Sequence, residues 1–154
     1  MSTEASFDGG TLTITRHYDA PREVVFDAWI ATSKVQQWWG CAQTTAVKSE
    51  IEPKIGGAYN HTMTLGEMGE FPGEAKFTEF DPPKRLAYAS ASPMGGPTMT
   101  VTVDFLEEDG ATRVRLTHDN IPEDREPHYL PDIIQAGWTA ALGKLGDFLM
   151  ASAK

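Results

Sequence analysis

Residues 130–150 read LPDIIQAGWTAALGKLGDFLM, and Ile134, Trp138, Ala141, Leu142, Leu145 and Leu149 fall along one stripe at helical spacing. Pro131 stands near the start, where its missing N–H leaves no intrahelical bond unmade. The stretch predicts a long C-terminal helix with one apolar face. Such a face has to be buried against something, and the preceding residues say what.

Upstream, extended segments alternate with turn chemistry. TLTITRHY begins at Thr11 and sets Leu12 and Ile14 on one side, as a first strand does. Further extended candidates run over residues 44–52, 58–65, 74–81, 85–92, 98–107 and 111–119, separated by PKIGG, GEMGEFPG, DPPK, SPMGGP and EEDG. The GEMGEFPG segment is expected to be a hairpin tip. The clearest alternation is TMTVTVDF, which puts Met99, Val101, Val103 and Phe105 on one face and Thr98, Thr100, Thr102 and Asp104 on the other. That is an antiparallel strand with one face in water. A six- or seven-stranded antiparallel sheet needs its apolar face covered, and the C-terminal helix is the element long enough to do it.

Two short helices interrupt this pattern after the first strand. Pro21 suits the first turn of REVVFDAWIA, in which Val25, Ala28 and Trp29 recur at helical spacing. Ser33 is placed to cap KVQQWWG, and Gly40 to end it. Trp38 and Trp39 are adjacent, so on a helix they point in different directions. One is expected to pack inward, the other to line a mouth or meet a partner.

Composition narrows the class. The chain has 154 residues, 40% of them apolar, enough for one core. With 22 acidic and 13 basic residues its formal charge is −9, which disfavours nucleic acid and anionic membranes as partners. The first residues, MSTEASFDGG, carry no readable secretory signal, and a cytoplasmic location is expected. Cys41 is the single cysteine, which leaves no internal disulfide and no cysteine-rich zinc site, and it reads as an inert thiol. No HxH or HExxH spacing points to a metal, no phosphate loop or GxSxG elbow is present, and no cofactor is expected.

Five pieces in order, APREVVFDAW, QQWWG, GGAY, EFDPPKRLAY and GWTAALGKLGDFL, resemble the activator of heat-shock-chaperone ATPase homologue-like family. That family is a branch of the START-like, birch-pollen-allergen-like (SRPBCC) superfamily. The resemblance spans almost the whole chain and implies one START-like domain over residues 1–154. It implies an α+β helix-grip fold: a curved six- to seven-stranded antiparallel sheet around the long C-terminal helix, with two short helices after the first strand. Members of the superfamily include lipid carriers, aromatic polyketide cyclases, hormone receptors and chaperone co-factors, so the fold leaves the function open.

Within that pattern the strand AYNHTMTL aims Tyr59, His61 and Met63 inward by period two. A histidine among apolar groups needs a hydrogen-bond partner, a water or a ligand. His118, in phase with Val114 and Leu116, also faces inward, and a pair of converging histidines could transfer a proton. Glu79 occupies a position where the family commonly has an acid, either a cavity carboxylate or a strand acid paired with an arginine. The leading expectation is a binding module that encloses a small apolar or aromatic molecule. Its wall would be Trp38, Tyr59, His61, Met63, Phe77 and Tyr88 on one side, with Met99, Val101, Val103, Trp138 and Leu142. The alternatives are a cyclase- or hydrolase-like enzyme using His61, Glu79 or His118, and a chaperone-associated or stress-response regulator with a protein partner. As assembly, a monomer or a homodimer is expected.

Overall fold

The computed structural model describes residues 3–8, 11–40, 44–90, 99–119 and 131–152. In chain order the elements are β1 (Thr3–Asp8), β2 (Thr11–Tyr18), α1 (Arg22–Ile30), α2 (Thr32–Val35), β3 (Ala46–Ile51), β4 (Tyr59–Thr64) and β5 (Glu70–Gly73). They continue with β6 (Lys76–Asp81), β7 (Arg85–Ser90), β8 (Met99–Glu108), β9 (Ala111–Asp119) and α3 (Pro131–Ser152). Six strands form one antiparallel sheet in the order β1-β2-β9-β8-β7-β6, and three form a second in the order β3-β4-β5.

Register lines up the apolar positions of the large sheet in rows. Leu12, His118, Val101, Tyr88 and Phe77 lie side by side across β2, β9, β8, β7 and β6, and Ile14, Leu116, Val103, Leu86 and Phe80 form the next row. Apart from the partly buried Phe80 all of them are buried, whereas the intervening Arg113, Arg115 and Lys76 are exposed. This is the alternation expected of a sheet with one covered face. The turn between β8 and β9 consists of Asp109 and Gly110, both at positive φ (51° and 83°), as the Asp-Gly pair prefers in a two-residue hairpin.

The cover is α3. Ala141, Leu142, Leu145 and Leu149 join the core, and the Tyr18 hydroxyl donates a buried 2.8 Å hydrogen bond to the Leu142 carbonyl, tying β2 to the helix. At the other end of the trough α1 lays Phe26 against Phe105 and Phe80, with ring centroids 5.0 and 5.7 Å apart. The small sheet is attached where Gly56 N donates to Phe77 O (2.8 Å) and Phe77 N to Gly57 O (3.0 Å). A side chain at Gly57 would have its Cβ 2.2 Å from the Glu52 carbonyl oxygen, so the GGAY motif keeps glycine where two backbones nearly touch.

The helix-grip α+β fold expected from the sequence is present, with several differences. β1 pairs with β2 along its whole length, although TEASFD carries only one large apolar residue and no alternation strong enough to read. GEMGEFPG is not only a tip: Gly66–Met68 forms a 3-10 turn and Glu70–Gly73 adds β5 to β4. Ser33 does not cap α2. The helix starts two residues earlier, at Thr32 after Ala31 in extended conformation, and Ser33 sits inside it. Cys41 and the SPMGGP segment lie outside the described residues, as do the side chains of Ile134 and Met99.

Two substitutions test this frame. Gly57→Ala should destabilise the protein by about 2 kcal/mol or more, seen as a lower urea midpoint, because backbone must move to admit the methyl group. Tyr18→Phe should cost about 1 kcal/mol in the same measurement, the net worth of one buried hydrogen bond.

Candidate functional site

Between the large sheet, the small sheet and the start of α3 lies a continuous group of aromatic rings. The turn after α2 carries two tryptophans whose ring centroids lie 5.6 Å apart but which differ in burial. Trp38 is fully buried, its Nε1 donating to Ala28 O at 2.9 Å and its ring 4.7 Å from Trp29. Trp39 is only partly buried and projects into the ring group, and Lys144 Nζ of α3 donates to its carbonyl at 3.2 Å.

The Trp39 indole is the hub. It stacks on His61 (3.9 Å between centroids, 22° between planes). Around it stand Tyr59 at 5.7 Å, Trp138 at 5.6 Å, Trp29 at 6.3 Å and Tyr88 at 6.5 Å, the first three nearly edge-on. Trp29 also lies against Trp138 at 6.3 Å and 26°. Edge-on and offset contacts of this kind place positive ring edges against negative faces.

Polar atoms are threaded through the rings. His61 Nδ1 lies 2.8 Å from Ser49 Oγ, its register partner on β3, and Ser49 N donates to Gln36 Oε1 at 2.9 Å, so α2, β3 and β4 are held together. The Tyr59 hydroxyl donates to Trp29 O at 2.8 Å. Trp138 Nε1 donates to His118 Nδ1 at 3.0 Å, joining α3 to β9. Burial pushes the His61 imidazole down to about 3 and the His118 imidazole to about 4, so both rings are neutral at neutral pH. Burial also holds the Tyr59 and Tyr88 phenols well above their ordinary value.

Four buried polar atoms in this region have no hydrogen-bond partner among the described residues: Trp29 Nε1, His61 Nε2, Tyr88 Oη and His118 Nε2. Three belong to rings in contact with Trp39, and His118 is one ring further, through Trp138. Among the described residues no three His, Cys, Asp or Glu side chains gather as metal ligands, and no helix is long and apolar enough to cross a membrane.

Of the residues singled out in the sequence, Tyr59, His61, Tyr88 and Trp138 meet in the ring group, with Phe77 beside Tyr59 at 4.8 Å. Met63, further along β4, is partly buried. Val101 sits in the Tyr88–His118 row, while Val103 and Leu142 belong to the deeper core. Trp39 rather than Trp38 carries the stack on His61. His118 and His61 do not meet, since the Trp39 and Trp138 rings stand between them. Of the two readings of Glu79, the structure places it as a strand acid paired with an arginine rather than as a cavity carboxylate. A bulge between Phe77 and Glu79 inserts one residue, so Phe77 stays inward while the Glu79 side chain is 51% exposed and pairs with Arg85 at 3.3 Å. Ser49 went unmarked in the sequence; only the β3–β4 register, which puts it opposite His61, identifies it.

A sheet folded around one long helix, with an aromatic interior between them, defines a START-like helix-grip protein. The sequence model of the family described as activator of Hsp90 ATPase homolog 1-like protein matches residues 19–150, and the chain belongs to that family. Solved structures are similar in fold. A Nitrosomonas europaea protein has TM-score 0.81 at 20% identity, covering 96% of this chain and 99% of that one. For a Mycobacterium smegmatis protein the TM-score is 0.80 at 21% identity, with 99% and 98% covered. A Rhodobacter sphaeroides protein gives 0.81 at 20%, with 97% and 99% covered. No curated protein matches the chain.

The buried histidines make stability depend on pH. In the unfolded chain each takes up a proton near pH 6.5, while the folded rings stay neutral down to about 4 and about 3. Below about pH 6.5 the unfolded state therefore binds more protons, and stability falls with pH by up to about 1.4 kcal/mol per unit per histidine. The urea midpoint should be level above pH 7 and decline between pH 6.5 and 5, before most carboxylates titrate. His118→Asn and His61→Asn should each flatten that decline, and an unchanged slope in both would contradict the assignment.

Proposed function

We propose that this protein binds a small apolar or aromatic molecule in the ring-lined interior between the sheets and α3, with Trp39 and Trp138 at its mouth. The observation that carries the reading is the group of four buried polar atoms without a hydrogen-bond partner among the described residues, inside an otherwise aromatic shell. A packed core satisfies its polar atoms, each unpaired one costing about 1–3 kcal/mol. Binding sites, by contrast, combine apolar walls with a few polar groups that orient the ligand. Trp39 and Trp138 are the partly buried rings of the group and enclose the fully buried Trp29, so they are the ones that yield to a guest. Stacking and burial supply the affinity; the imidazoles and the Tyr88 hydroxyl supply orientation.

A ligand-observed NMR screen of flat two- and three-ring aromatics, followed by titration of tryptophan fluorescence, tests the reading. Binders should quench that fluorescence, and His61→Ala should weaken them by about tenfold or more while leaving the far-ultraviolet circular dichroism intact. Hits that bind the His61→Ala and Trp39→Ala variants as well as the unaltered protein would place the site elsewhere.

A further inference from the structure

The protonation pattern of the unpartnered atoms narrows the ligand class, an inference that rests on the binding role proposed above. His118 Nδ1 accepts the Trp138 Nε1–H, so the neutral imidazole carries its proton on Nε2. Ser49 Oγ lies 2.8 Å from His61 Nδ1, and the tautomer that pairs the hydroxyl hydrogen there keeps the imidazole proton on Nε2. Trp29 Nε1 is a donor only. In these tautomers three of the four unpartnered atoms are N–H donors, and the fourth, the un-ionised Tyr88 hydroxyl, can donate as well as accept.

We infer that the molecule this interior takes is a flat aromatic whose polar edge bears hydrogen-bond acceptor oxygens and no donors, of the aryl ketone or quinone type. A ligand N–H or O–H directed at the three nitrogens would meet donors, with only the Tyr88 hydroxyl able to accept it. A plain hydrocarbon would leave them buried and unpaired. Sites built to hydrogen-bond discriminate strongly against analogues that lack the matching group, because the buried partner is then stranded. A carboxylate would supply acceptors too, but it would bring an unpaired charge beside two imidazoles that burial keeps neutral. A carbonyl answers the donors without that cost.

Three isosteric probes separate the possibilities: 9-fluorenone carries an acceptor, fluorene carries neither, and carbazole carries a donor. Binding is measured at pH 7.5 by ligand-observed NMR and tryptophan fluorescence on the intact chain. Fluorenone should bind about tenfold tighter than fluorene or better, although fluorene is the more apolar, and carbazole should bind no better than fluorene. Tyr88→Phe should reduce the fluorenone preference while leaving fluorene unchanged. The unliganded variant should be at least as stable as the parent, since it loses a hydroxyl with no partner. Equal binding of fluorenone and fluorene would overturn the inference and leave the binding role standing, as would a preference for carbazole. If none of the three binds, the binding role falls and the inference with it.

Discussion

The structure depends on one constraint: a six-stranded antiparallel sheet with one apolar face must have that face covered, and α3 is the element that covers it. The Tyr18 hydroxyl bound to the Leu142 carbonyl sets the seat of the helix on β2. Leu142, Leu145 and Leu149 complete the inner rows of the sheet from above, and α1 closes one end with Phe26 against Phe105. The small sheet is held to β6 by the backbone bonds around Gly57 and forms the opposing wall. The aromatic interior is what these elements enclose.

That interior is costly to build. Ring packing around Trp39 is favourable, and the bonds from Tyr59 to Trp29, from Trp138 to His118 and from Ser49 to His61 use several of the available polar atoms. Four others have no hydrogen-bond partner among the described residues. A sequence selected for stability alone would place phenylalanine or leucine at such positions, and the proposed binding role gives these atoms a purpose. Neutral histidines serve that purpose better than charged ones: a neutral ring presents a defined donor while tolerating an apolar shell.

Most of the sheet was legible because alternation and turn residues are local signals. TMTVTVDF announced β8, EEDG announced the hairpin to β9, and the stripe from Trp138 to Leu149 announced α3. β1 was not legible, because an edge strand paired on one side needs little apolar alternation of its own. For the site, Tyr59, His61, Tyr88, His118 and Trp138 stood out as residues on inward phases. Glu79 stayed open between a cavity carboxylate and an arginine-paired strand acid, because a bulge that only the β6–β7 register reveals decides its side.

By itself, then, the sequence determined the fold class and the inward sets of residues, since periodicity and turn chemistry act over a few residues at a time. It also marked Trp38 and Trp39 as an adjacent pair of which one packs inward. Tertiary structure decided which of them stacks on His61 and that Ser49 reaches the same imidazole. It decided too that Trp138 supplies the proton His118 accepts, and that Glu79 faces water beside Arg85. Each of these depends on the register between strands and the seat of a helix far away in the chain, which no local pattern encodes.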